Sequence, residues 1–181
     1  MMWKNMNIET TNTRTNMNRI SIVGSGGAGK STLSRELRDI LHLPLFHLDN
    51  LFWRADKSHI DREEFDEKLN DIINQDKWII DGDYSRTYEI RIEKSDTIIF
   101  LDYPLDVCLE GVENRIGKAR EDMPWKEDIF DPEFKEWIVA WHENKRPVLM
   151  ELLEKYKDNR NIYIFKSREE TNIFLKSLKE R

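Results

Sequence analysis

The residues best able to do chemistry form one run, Gly24-Ser25-Gly26-Gly27-Ala28-Gly29-Lys30-Ser31, which fits the phosphate-binding pattern G-x-x-x-x-G-K-[ST] at every fixed position. Glycines let successive backbone N–H groups converge on phosphate oxygens, because no Cβ blocks the approach. A lysine in the seventh place reaches the β- and γ-phosphates, and a hydroxyl in the eighth can ligate the Mg²⁺ that bridges them. The expected nucleotide contacts are therefore Gly24, Ser25, Gly26, Gly27, Ala28, Gly29, Lys30, Ser31 and the adjoining Thr32.

The loop has the flanks this chemistry requires. Ile20-Ser21-Ile22-Val23 reads as a short buried strand, and Leu33, Leu37 and Ile40/Leu41 lie at helical spacing after it. A helix opening at the glycines aims its N-terminal partial charge at the bound anion. A rival pattern occupies the same residues. Gly24, Gly26 and Gly29 also spell the dinucleotide fingerprint G-x-G-x-x-G, and Asp49 stands about 20 residues on, where that fingerprint wants an acid. Lys30-Ser31 decides for the phosphate loop, because a dinucleotide site has no use for a lysine directly after the third glycine.

Strand and helix patterns alternate, which predicts a parallel sheet covered by helices on both faces. Further strands are expected at Leu43 to Leu48, Trp78 to Ile80, Thr97 to Leu101 and Asn161 to Phe165. Helices are expected over about 61–75, from Pro104 onward, around Phe134 to Trp141, from Val148 to Tyr156 after an interruption at Pro147, and near Ile173 to Leu178. Residues 117–128 have no period and read as a polar loop.

In such a sheet the ligand crevice lies at the strand C-termini, where Asp49, Asp81 and Asp102 fall. Asp81 is the expected Mg²⁺ carboxylate beside Ser31. Asp49 is the expected acceptor-side base, with Trp53 packing a planar acceptor. Asp102 suits a structural turn as well as a site. Phosphoryl transfer also needs cations. Arg115, Lys118 and Arg120 form a candidate lid, and Arg146 could point back to the phosphates. Arg86 and Arg91 are candidates for holding a polar or anionic acceptor.

The chain has 181 residues and a formal net charge of −6, which suits one layered domain and argues against a general nucleic-acid surface. One cysteine, Cys108, excludes an intramolecular disulfide and fits a reducing cytoplasm; its apolar surroundings read as core. No apolar run is long enough to span a membrane. Residues 1–18, rich in Asn and Thr, read as a disordered extension preceding a domain over 19–181.

Taken together, these segments resemble the bacterial DNA topology modulation (FlaR-like) group of P-loop kinases, related to adenylate and shikimate kinases. The resemblance rests on Ile22 to Thr32, His47-Leu48-Asp49 with Leu51-Phe52-Trp53, Trp78 to Tyr84, Arg91, Ile98 to Asp102, Gly117-Lys118 with Arg120 and Asp122-Met123, Lys145-Arg146-Pro147 and Phe165 to Arg168. Asp83 and Glu121 depart from it, standing where Asn and Pro are expected. It implies a nucleoside-monophosphate-kinase-like fold with a five-stranded parallel sheet, an acceptor-binding insertion at about 50–75 and a lid at about 115–130. It also implies that Ser167 and Arg168 contact adenine and that Arg115 sits near the base or the lid hinge. The reading expected from the sequence is an ATP- and Mg²⁺-dependent small-molecule kinase, a monomer or small homo-oligomer, acting on a nucleotide- or nucleoside-like acceptor. The alternative is a nucleotide-binding regulatory module with slow ATPase activity, linked indirectly to DNA topology.

Overall fold

A computed structural model describes residues 17–180. The chain alternates strands and helices: β1 (Arg19–Gly24), α1 (Lys30–Leu41), β2 (Leu45–His47), α2 (Leu48–Phe52), α3 (Arg62–Ile73), β3 (Trp78–Asp81), α4 (Tyr88–Lys94), β4 (Thr97–Leu101), α5 (Leu105–Glu113), α6 (Pro132–Ala140), α7 (Arg146–Tyr156), β5 (Asn161–Phe165) and α8 (Arg168–Lys179). The strands form one all-parallel sheet in the order β2-β3-β1-β4-β5.

The β-branched runs become the central strands because both of their faces are covered. β3 and β4 are buried throughout, and β1 from Ile20 onward. Alternate residues serve opposite faces. Ile20, Ile22, Ile79, Ile99 and Leu101 pack with Leu33 and Leu37 of α1, Cys108 and Val112 of α5, and Phe174 and Leu175 of α8. Val23, Ile98 and Phe100 pack on the other face with Tyr88 and Ile92 of α4, Trp141, and Leu149 and Leu153 of α7. A third cluster seats α3 through Phe65, Leu69, Ile72 and Ile73 against Trp78 and Ile80 of β3.

Pro147 interrupts its helix in a specific way. It has no N–H to donate, and the ladder ahead of it widens to a π-helical turn over Trp141–Lys145, so that Pro147 falls in the first turn of α7. Two short helices were not legible beforehand, α2 and α4. In α4 the buried residues Tyr88, Arg91 and Ile92 carry the only periodic signal. The expected extension at 1–18 lies outside the described residues up to position 16. Met17 already packs against the core, and the Asn18 amide donates to the Asp96 carboxylate at 3.1 Å. No helix among the described residues is long and apolar enough to cross a membrane.

Candidate active site at the phosphate loop

The loop between β1 and α1 is shaped by what packs behind it. A Cβ on Gly27 would lie 1.9 Å from the Cys108 carbonyl oxygen, so only glycine lets the loop rest directly on the backbone of α5. Gly29, at φ +89°, turns the chain into α1. Its start carries no capping side chain and no neutralising acid. Asp61, Asp131 and Ser167 cap α3, α6 and α8 with their side chains, whereas α1 has no side-chain cap and no acid in its first turn. Thr32 and Leu33 are the first residues to donate back to Gly29. The positive end of α1 is thus left for an anion from outside the chain.

Two polar groups of the loop have makeshift or missing partners. Lys30 Nζ folds back onto the loop's own carbonyls, 3.0 Å from Gly24 O and 2.9 Å from Ser25 O. Ser25 is buried, and its hydroxyl has no hydrogen-bond partner. Incoming phosphate oxygens suit both.

The acids gather at the same sheet edge. Asp49 opens α2 just past β2. It is half-buried and accepts a hydrogen bond from the Tyr84 hydroxyl at 3.0 Å. Burial pushes its carboxyl above the ordinary range; the Lys30 charge and the Tyr84 hydrogen bond only partly offset this. Asp81 ends β3 in register with His47 of β2. It is buried and fully engaged: His47 Nδ1 lies 2.8 Å from one oxygen, and Ser34 Oγ donates to the other at 2.7 Å. Burial disfavours the charged His47 ring, but Asp81 outweighs it and raises the imidazole pKa.

The sequence did not single out a further acid, Asp122. It is buried, and Arg120 holds it through Nε at 3.1 Å and through a second, shorter contact. Burial raises its pKa, but Arg120 above all, with smaller contributions from the His47 charge and the nearby Ser31 side chain, brings it down to about 2. The loop over 114–131 thereby brings a buried carboxylate to the neighbourhood of Ser31, the residue expected to ligate Mg²⁺. Asp122 lies in a polar stretch without period, and only the lid resemblance marked it.

The rest of this loop is tied down as well. Arg120 also donates to Glu127 at 2.8 Å, and Arg115 shares that carboxylate while lying 5.3 Å from the centroid of the Phe134 ring. Glu121 accepts from Arg38 at 2.7 Å, its backbone oxygen accepts from Asn50 at 2.7 Å, and Trp125 meets Trp53 edge-to-face at 5.5 Å. The expected lid residues are therefore drawn over α1 and α2, with Lys118 exposed at its turn.

Other expected site residues have different employment. Arg146 does not point to the phosphates: its fork grips Asp102 at 2.6 and 2.8 Å, and Lys166 joins the same carboxylate. Asp102 is thus a structural tie between β4, α7 and the segment after β5. Arg91 is fully buried and donates to Thr87 Oγ1 and to the Gly82 and Asp83 carbonyls, so it braces the chain after β3 and cannot touch an acceptor. Arg86 pairs with Asp66 on the surface at 2.6 and 2.8 Å. Ser167 caps α8 by accepting from the Glu170 amide, and the exposed Arg168 lies 3.5 Å from the Val107 carbonyl.

The topology excludes the dinucleotide reading. That fold places its acid on the strand beside β1, but here β3 separates β2 and Asp49 from β1. A Mg²⁺ ion brought in with a nucleotide fits the residues present. Among the described residues no group of three or more His, Cys, Asp or Glu side chains gathers to hold a metal by itself. Mg²⁺ instead binds through phosphate oxygens, waters and few protein ligands, which Ser31 and its neighbouring carboxylates can serve.

No family model and no curated protein matches the chain, so the resemblance to the DNA topology modulation group rests on the quoted residues alone. Solved structures do match. A shikimate kinase from Acinetobacter baumannii, in complex with shikimate, superposes with a TM-score of 0.60 at 14% identity, over 91% of this chain and 92% of that one. A shikimate kinase from Bacteroides thetaiotaomicron gives 0.53 at 18% identity, over 91% and 97%. A sugar kinase from Janibacter sp. HTCC2649 gives 0.52 at 15% identity, over 91% of each chain. At these identities the likeness is one of fold, and the chain has the α/β P-loop fold that these small-molecule kinases share.

Proposed function

We propose that this protein is a phosphotransferase that moves the γ-phosphate of ATP to a hydroxyl of a small nucleotide- or nucleoside-like acceptor. The observation that carries the reading is the gathering at the C-terminal edge of the sheet of the phosphate loop, with the uncapped start of α1 at Lys30 and Ser31, and the strand-end acids Asp49 and Asp81. A loop that only binds nucleotide needs no base across from its lysine.

In this reading the loop amides and Lys30 hold the phosphates, Lys30 exchanging its two carbonyl partners for phosphate oxygens. Ser31 is the protein's ligand to Mg²⁺, with Asp81 or Asp122 orienting its waters. When bound, Mg²⁺ offsets charge on the β- and γ-phosphates. Asp49 orients the acceptor hydroxyl and takes its proton as the oxygen bonds to the γ-phosphorus. The bond to the bridging oxygen breaks, and ADP leaves. Arg120, Arg115 and Lys118 supply positive charge from the lid. His47 and Ser34 act as positioning residues that fix Asp81. The adenine side is assigned to Ser167 and Arg168, and kinship to adenylate kinases and a cytoplasmic location belong to the same proposal.

The test is ATP consumption with Mg²⁺ across nucleosides, nucleotides and small hydroxy compounds, with Lys30→Ala as control. One acceptor should raise turnover by orders of magnitude, and the control should lose it. Turnover indifferent to every acceptor would overturn the kinase reading in favour of a nucleotide-responsive module.

A further inference from the structure

Resting on the phosphotransferase reading, we infer that the acceptor bears no anionic group: it is a neutral or cationic hydroxyl compound with a flat apolar body, of nucleoside type rather than a nucleoside monophosphate or a carboxylate sugar. The acceptor side of the cleft is where Asp49 faces the insertion after β2. Three acids gather there. Asp49 is half-buried with a carboxyl that burial already disfavours, and the buried Asp81 and Asp122 both act on it electrostatically.

The cations that would receive an acceptor anion are committed elsewhere. Arg91 is enclosed by backbone carbonyls, and Arg86 is forked onto Asp66. Arg120 spends three nitrogens on Asp122 and Glu127, and Arg38 is held by Glu121 and Asp39. Arg54 lies on the exposed tip of the insertion beside Asp56. Lys118 is exposed at the turn of the lid, where the proposed reading gives it to the transferred phosphate, and Lys30 is claimed by the phosphates of ATP. An acceptor anion placed here would lose its hydration and gain like-charge neighbours, while the buried arginines around it already hold other partners.

The same wall supplies aromatic surface instead. Phe52 stacks on His59 at 4.8 Å and meets Tyr84 at 5.4 Å, while Trp53 and Trp125 close together from the insertion and the lid. Their faces suit a planar ring or a cation.

The experiment measures binding of matched pairs, each nucleoside against its 5′-monophosphate and an amino alcohol against the corresponding hydroxy acid. A saturating non-hydrolysable ATP analogue and Mg²⁺ keep the phosphate loop filled. The readout is quenching of tryptophan fluorescence, compared with Trp53→Phe, and phosphoryl transfer is assayed separately with ATP. The uncharged or cationic member should bind at least about tenfold tighter, and Asp49→Asn should shrink that ratio at least about threefold by removing charge while keeping shape. Anionic members binding as tightly or more tightly, or a ratio indifferent to Asp49→Asn, overturn the inference and leave the kinase reading standing. The predicted binding order with no transfer to any acceptor overturns the kinase reading and supports the assignment of ligand class.

Discussion

The two halves of the cleft are built on different principles. The phosphate side is a contiguous stretch of backbone: glycines seated on α5, an uncapped helix start, and one lysine provisionally bonded to its own loop. The acceptor and lid side is assembled from side chains of β2, α2, β3 and the loop over 114–131, fixed by paired charges and edge-to-face aromatics. Local sequence suffices to make the first. The second exists only once distant segments meet, and it holds most of its cations against its own carboxylates. In the proposed reading the phosphate side is open to an anion from outside, and the acceptor side is not.

The largest effect should come from Lys30→Ala. If the phosphate side acts as described, it lowers ATP turnover by about a thousandfold or more, worth roughly 4 kcal/mol, while the melting temperature changes little. Full activity in that variant would erase the distinction between the halves. Gly27→Ala attacks the same side through packing. With a Cβ driven into the Cys108 carbonyl and φ at +77°, it should cost about 3 kcal/mol or more of stability, read as a lowered urea midpoint.

Asp49→Asn probes the acceptor half. Turnover should fall about a hundredfold with ATP affinity nearly unchanged, and a matching loss of ATP binding would mean that Asp49 belongs to the phosphate side. Asp102→Asn tests a tie outside both halves. Burial works against the Asp102 charge, but Arg146 and Lys166 outweigh it and hold its pKa below the unfolded value. Its contribution is thus present above the ordinary carboxylate pKa of about 4 and lost as pH falls through the lower folded value. The variant should cost about 2 kcal/mol at neutral pH, and its deficit against the parent should shrink in acid. A deficit constant across that range would refute the ion-pair account. Arg86→Ala should do least, within about 0.5 kcal/mol of stability and with unchanged acceptor KM; a raised KM would return an acceptor role to this arginine.

Much of the architecture was legible because it obeys short-range rules. β-branched runs mark the strands, helical spacing marks α1, α3, α5 and α8, and Pro147 marks its interruption. The short α2 and α4 escaped because five and seven residues carry too little period. Among the site residues, the strand-end position of Asp49 and Asp81 followed from the parallel-sheet pattern. The engagements of Arg86, Arg91 and Arg146 did not, since each partner comes from another element and nothing in an arginine's neighbours along the chain says which carboxylate or carbonyl it will meet. Asp122 is the sharper case: a polar loop hides which of its acids is folded inward.

The sequence by itself determined the phosphate loop, because backbone amides, glycine conformations and a helix start are properties of consecutive residues. It also determined that the central strands would be buried on both faces. Only the tertiary structure decided that β3 lies between β1 and β2, that Asp122 folds inward and that Asp102 takes Arg146. Electrostatic partnership depends on distance in space and on exclusion of water, and both are fixed only when the layers pack.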